Sequence, residues 1–232
     1  MSIDTTAEPA VELYDGAVMT LEEFLQACED ADDRPRCELI EGVVRMSFPS
    51  LMIHDNPQSL LIMLAKLYQG FTAGTNGVGT PTVLVAPNTL FQPDVILRRT
   101  DDVGGQSRAR TEQFIDGSPE FIIEVSNTSR AFDLNQKREA YARHGVREYL
   151  VADVQAEVFR WFDLTTDQER SADADGILRA VEFPGFWINM AAVFRDDVLP
   201  AMLTLNASLA SPEHAAFVAE LARGRTPTDG GA

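Results

Sequence analysis

The chain has 232 residues, 45% hydrophobic and 24% charged, the balance of one globular domain long enough to bury a core without staples. Nineteen basic residues against 36 acids give a net charge of −17, which excludes general attraction to nucleic-acid phosphate. The two cysteines, Cys28 and Cys37, are too few for a disulfide framework. No C-x-x-C zinc pattern occurs, the acidic opening MSIDTTAEPAVELYDG lacks the apolar stretch of a signal peptide, and the longest apolar run, residues 60–64, is too short for a bilayer. A reduced, cytoplasmic protein is expected.

In chain order, residues 1–17 read as a flexible lead-in. Thr20-Leu21-Glu22-Glu23 is a capping box, opening a helix with Leu21, Phe24, Leu25 and Cys28 on one face. An acidic loop, 29–33, precedes a hairpin of strands 37–41 and 43–46 about Gly42. Residues 49–57, with His54, read as a loop, 58–69 as a core helix, and 70–79, with four glycines, as a mobile linker or turn. Strands are expected at 82–86 and 89–97, then a polar, basic-rich loop over 98–117. A short apolar strand, 120–125, leads to a helix over 133–143 with Asp133 as N-cap and Gly145 past its end. Strands follow at 147–152, 157–162 and 178–183, with an acidic tip at 163–176. Phe186-Trp187 begins an amphipathic close, and Ser211-Pro212 starts a terminal helix ending before Gly224, with a disordered tail beyond. No internal repeat or low-complexity block is found. The order of elements predicts an α/β domain with a mixed central sheet flanked by helices, over 18–200, followed by a C-terminal helix and tail over 201–232.

Two acids interrupt apolar strands: Asp94 after Pro93, and Glu124 within Phe121-Ile122-Ile123-Glu124-Val125. A charge among such neighbours is costly unless paired or metal-bound, and two on adjacent strands would suit Mg²⁺ or Mn²⁺. Taken singly, each could also end its strand in water. Lys137 is one of two lysines, with Lys66, against seventeen arginines, which points to a place where a compact ammonium is wanted; the alternative is a solvated helix lysine. Basic residues gather in 126–147 and at Arg98, Arg99, Arg108 and Arg110. His144 and His214 read as structural or surface residues. The glycines of 70–79 lack the lysine and frame of a phosphate loop, and no G-x-S-x-G elbow occurs.

Pro93-Asp94, Glu124-Val125-Ser126 and Lys137 resemble the PD-(D/E)XK nuclease signature with its lysine moved from the strand to the following helix; Ser126 fills the usual lysine slot. More closely, the chain resembles the Uma2 family of restriction-endonuclease-like proteins, also known as a domain of unknown function. The likeness spans roughly residues 17–200 and rests on MTLEEFL (19–25), CELIEG (37–42), RMS (45–47) followed by His54, QPDV (92–95), the long stretch IIEVSNTSRAFDLNQKREAYARHGVREYLVAD (122–153) and PGFW (184–187). It implies a restriction-endonuclease-like fold and a divalent-metal site. Asp94 and Glu124 would be metal ligands with the Val125 carbonyl nearby, Lys137 would orient the attacking water, and Glu38 would complete the site. His54 also matches and is expected to be structural.

The expected function is a Mg²⁺- or Mn²⁺-dependent endonuclease acting on DNA, with Arg98, Arg99, Arg130 and Arg138 on phosphates and a homodimer as the expected assembly. Two alternatives stay open: a catalytically silent binding or scaffold protein, which the net charge favours, and a phosphodiesterase for small nucleotides, which would need only a local positive pocket.

Overall fold

The computed structural model describes residues 12–31, 36–47, 52–110 and 114–225. The expected disordered tail, residues 1–11 of the lead-in and residues 32–33 of the acidic loop lie outside them. The first described elements follow the sequence reading closely. Thr20 caps helix α1 (Leu21–Asp30), its hydroxyl accepting from the Glu23 amide while the Glu23 carboxylate accepts from the Thr20 amide. Strands β1 (Cys37–Ile40) and β2 (Val43–Met46) pair antiparallel. Residues 12–17 are docked on this hairpin, where Gly16 donates to the Val44 carbonyl and Val44 to the Ala17 carbonyl.

Helix α2 (Met52–Phe71) begins well before the expected residue 58 and carries Pro57 within it, so much of the segment read as a loop around His54 is helical. A proline early in a helix removes one hydrogen bond without ending it when the packing beyond is strong; here Leu60, Leu61, Leu64, Ala65 and Tyr68 are all buried. The glycine-rich segment read as a mobile linker forms strand β3 (Thr75–Gly79). Its glycines serve close packing. A Cβ on Gly77 would stand 2.6 Å from the Ala65 carbonyl oxygen, and one on Gly79 2.5 Å from Ile62, so only glycine lets this strand lie against α2. Gly77→Ala should therefore cost about 1–3 kcal/mol, read as a lower denaturation midpoint at unchanged slope.

Strands β4 (Thr82–Ala86) and β5 (Thr89–Phe91) are as expected, but the run read as continuing to residue 97 breaks at Gln92-Pro93-Asp94. Strand β6 (Val95–Arg99) belongs to a different sheet. The expected long loop contains a 3₁₀ turn (Asp101–Val103) and strands β7 (Arg108–Ala109) and β8 (Phe114–Asp116). Strand β9 (Phe121–Ser126) is followed by a continuous helical path of α3 (Arg130–Phe132), a π-helical stretch (Asp133–Lys137) and α4 (Arg138–Arg143). Asp133 is therefore inside the helical path, not its N-cap; Ser129 takes that position.

Strands β10 (Glu148–Asp153), β11 (Val158–Asp163), β12 (Gln168–Arg170), β13 (Ile177–Arg179) and β14 (Trp187–Asn189) come next, then helices α5 (Met190–Phe194), α6 (Val198–Leu209) and α7 (Pro212–Gly224). None of the described helices is long and apolar enough to cross a membrane.

The expected mixed sheet is resolved as two six-stranded ones, ordered β2-β1-β5-β4-β8-β7 and β12-β11-β10-β9-β6-β3. In the second, β9 runs parallel to β10, joined through the helical path, while β6 pairs antiparallel with β9. Side-chain alternation sorts these strands onto two cores. Val95, Leu97, Phe121, Ile123 and Val125 face α2 and the C-terminal helices, whereas Ile96 and Ile122 face the first sheet and Tyr141 of α4. Glu124 shares the Ile122 side, which aims a carboxylate at the seam between the sheets. A third cluster, with Phe24, Cys37, Leu39, Val44 and Leu90, holds α1 on the first sheet.

Candidate active site

The break at residues 92–94, the C-terminal end of β9, the β1–β2 hairpin and the helical path enclose a cavity of about 430 Å³. Glu38, Asp94, Glu124, Val125 and Lys137 all line it. The three residues read as the chemical core of the chain thus come together despite their spread in sequence.

Asp94 is 2% exposed and surrounded by donors. Its Oδ1 accepts from Arg36 at 2.8 Å and Gln58 at 3.0 Å; its Oδ2 accepts from the Val125 amide at 2.8 Å and lies 3.4 Å from Nε2 of His54. Burial opposes ionisation, but these partners outweigh it and hold the carboxyl at about 2. His54 therefore does more than pack: burial works against its charging, yet the contact with Asp94 raises its pKa.

Lys137 is 5% exposed and bridges two acids, with Nζ 2.9 Å from Oε1 of Glu124 and 3.0 Å from Oε1 of Glu38. Glu38 Oε1 also accepts from the Gln92 amide at 2.6 Å, and Tyr141 donates to Glu124 Oε1 at 2.7 Å. Burial disfavours the ammonium, but Glu124, Glu38 and Asp133 outweigh it and keep the lysine protonated. Burial likewise pushes the Glu124 carboxyl up; Lys137 opposes this, while Asp94, Asp133 and Glu38 add to it. Asp133 is raised by burial too, and its Oδ2 accepts from the hydroxyls of Ser126 at 2.7 Å and Ser129 at 2.5 Å. Ser126, in the slot where the nuclease signature has its lysine, thus anchors the helical path that delivers Lys137.

The oxygen-rich donor set suits a hard divalent cation: two carboxylates from neighbouring segments, the main chain at Val125, and no sulfur. Among the described residues no three His, Cys, Asp or Glu side chains group as a complete metal site, so a cation here would draw on main-chain oxygen, water or substrate as well.

The four arginines read as phosphate contacts are placed elsewhere, none lining the cavity. Arg98 is 3% exposed, bonded to the Ser107 carbonyl at 2.5 Å and to Asp101 at 3.3 Å, which leaves no face for a phosphate. It lies four residues along β6 from Asp94, about 13 Å away. Arg99 beside it pairs with Glu220 and lies over Phe217. Arg130 pairs with Asp153 and Arg138 with Asp167, both partly exposed on the helical path itself. The cavity's own arginines are Arg36 and Arg45.

Sequence reading missed Arg36, Gln58 and Tyr141. Tyr141 was within reach, since it sits four residues beyond Lys137 on a helical path and so shares its face. Arg36 and Gln58 lie 58 and 36 residues from Asp94 and carry no local signal. Tyr141→Phe removes one buried hydrogen bond and should cost about 1–2 kcal/mol, seen as a melting temperature lower by roughly 3–6 °C.

An acid at the entrance to one strand, a second in the strand beside it and a buried lysine all face one cavity of a mixed α/β fold. The chain belongs to the Uma2 family, whose model, described as "Putative restriction endonuclease", matches residues 21–191. Among solved structures it is similar to "a putative nuclease belonging to DUF820" from Anabaena variabilis, at 15% identity and a TM-score of 0.61, over 77% of this chain and 98% of that one. No curated protein matches it. Family and fold are those of a restriction-endonuclease-like nuclease.

Proposed function

We propose that the protein is a metal-dependent endonuclease that hydrolyses DNA phosphodiester bonds at this cavity. The observation that carries the reading is the convergence of Asp94, Glu124 and Lys137, with the ammonium 2.9 Å from Glu124 and away from bulk water. Asp94, Glu124 and the Val125 carbonyl would hold Mg²⁺ or Mn²⁺. When bound, the cation would polarise the phosphodiester and lower the pKa of a water. Lys137 orients the attacking water and places positive charge where the oxyanion develops. Glu38 and Tyr141 act as positioning residues: Glu38 holds the ammonium from its other side and Tyr141 fixes the Glu124 oxygen. Arg36 and Arg45 would meet the flanking phosphates, with Arg130 and Arg138 outside the rim.

The test is plasmid nicking with Mg²⁺ or Mn²⁺. Wild-type protein should nick, Asp94→Asn and Lys137→Ala should lose about 100-fold or more, and cleavage should weaken steeply with salt. Equal cleavage by all three would mean a contaminating nuclease, and none by wild type would favour the silent scaffold. A second reading is favoured by the cavity of about 430 Å³ in a chain of net charge −17: a phosphodiesterase for small nucleotides. Hydrolysis of a nucleotide ester without plasmid nicking would select it.

A further inference from the structure

We infer that Cys28 and Cys37 are an oxidisable pair that closes into a reversible disulfide, tying α1 to the strand that carries Glu38. They are the only cysteines of the chain, and their Sγ atoms lie 3.3 Å apart. Cys28 is in the last turns of α1 and partly exposed; Cys37 is the first residue of β1 and 2% exposed. A disulfide needs about 2.05 Å between sulfurs, so the pair has little more than about 1 Å to close. No third thiol competes. The reduced pair rests in an apolar cluster with Phe24, Leu39 and Leu90.

The oxidant is a hydroperoxide, with hydrogen peroxide the simplest. Cys28 meets it first, being the more exposed; its contact with Cys37 also holds its pKa below the ordinary thiol value. The Cys28 thiolate attacks a peroxide oxygen and the O–O bond breaks. The departing oxygen takes up a proton and leaves as water, giving a sulfenic acid on Cys28. The Cys37 sulfur then attacks the Cys28 sulfur; the S–O bond breaks, and the departing hydroxide takes the Cys37 proton as a second water. Two thiols and one peroxide become one disulfide and two waters, two electrons passing from sulfur to peroxide.

The position gives the bond its reach. Arg36, which donates to Asp94 at 2.8 Å, and Glu38, which holds Lys137 at 3.0 Å, flank Cys37 on either side. A covalent tie between them joins α1 to both.

The experiment treats the full chain with hydrogen peroxide and follows free thiols under denaturing conditions, intact mass and non-reducing electrophoresis. The expected result is loss of both thiols together, a mass lower by two hydrogens, a single-chain band, full recovery with dithiothreitol, and a melting temperature about 5 °C higher in the oxidised form. Cys28→Ser, at the partly exposed position, should fold and keep its remaining thiol titratable without that mass loss. Persistence of both thiols, a gain of oxygen without loss of two hydrogens, or conversion to linked dimers would overturn the inference.

Discussion

Replacing Lys137 by methionine will cost about 3–5 kcal/mol of folding stability at neutral pH, more than its loss of packing can explain. The methionine stem fills much of the same volume. What disappears is the single ammonium lying between Glu38 and Glu124, at 3.0 and 2.9 Å. Both acids are under 5% exposed, and breaking a buried pair by removing one partner leaves charge without compensation. The double variant Lys137→Met/Glu124→Gln should recover a large share, because it removes an orphaned carboxylate along with the cation. Denaturant titration of the two proteins against wild type checks this. A single variant within about 1 kcal/mol of wild type would mean that water already reaches the pair.

The second large effect concerns pH and divalent metal. Glu124 and Asp133 have pKa values raised from 4.5 and 3.8, so above those values the native state binds more protons than the unfolded one and stability falls as pH rises. Asp94 has the opposite sign. Its value is lowered from 3.8 to about 2, so its contribution is present above 3.8 and vanishes only as acid approaches 2. Lys137 is raised above 10.5, so its contribution is complete below that value and constant near neutrality. Between about pH 5 and about pH 8 Glu124 and Asp133 therefore share the falling slope with Glu148, which burial pushes up to about 7, and with His54, whose pKa is also raised; in EDTA stability should fall by roughly 2 kcal/mol across that window. Mg²⁺ at the proposed site would offset the repulsion among the acids, raising the melting temperature and flattening the slope. Glu124→Gln should make it shallower without metal, leaving the share of Asp133, Glu148 and His54. Melting curves that coincide with and without Mg²⁺ at both ends of the window would count against a cation among these acids.

Local signals made much of the fold legible in the sequence. The capping box at Thr20 and Glu23, the hairpin about Gly42 and the apolar run before Glu124 act within a few residues, and each is where it was read. Gly77 and Gly79 misled because composition cannot separate a glycine that frees the chain from one that admits a neighbouring backbone. Pro93 was read inside a strand, whereas it marks the step from one sheet to the other. Within the site, the two acids and the lysine were legible because each was out of place: a charge in an apolar run, a lysine in an arginine-rich chain. Arg36 and Gln58 are ordinary residues in ordinary surroundings until the fold brings them to Asp94. Arg98 erred the other way, its neighbour Arg99 suggesting a surface cluster while strand alternation turned Arg98 inward.

The π-helical stretch ends at Lys137 and so fits one more residue into its turn than an α-helix would. An inserted residue shifts the phase of the helical path just where Lys137 turns toward Glu38 and Glu124. Deleting one residue from this turn would swing the ammonium out of register while every residue of the motif stayed in the sequence.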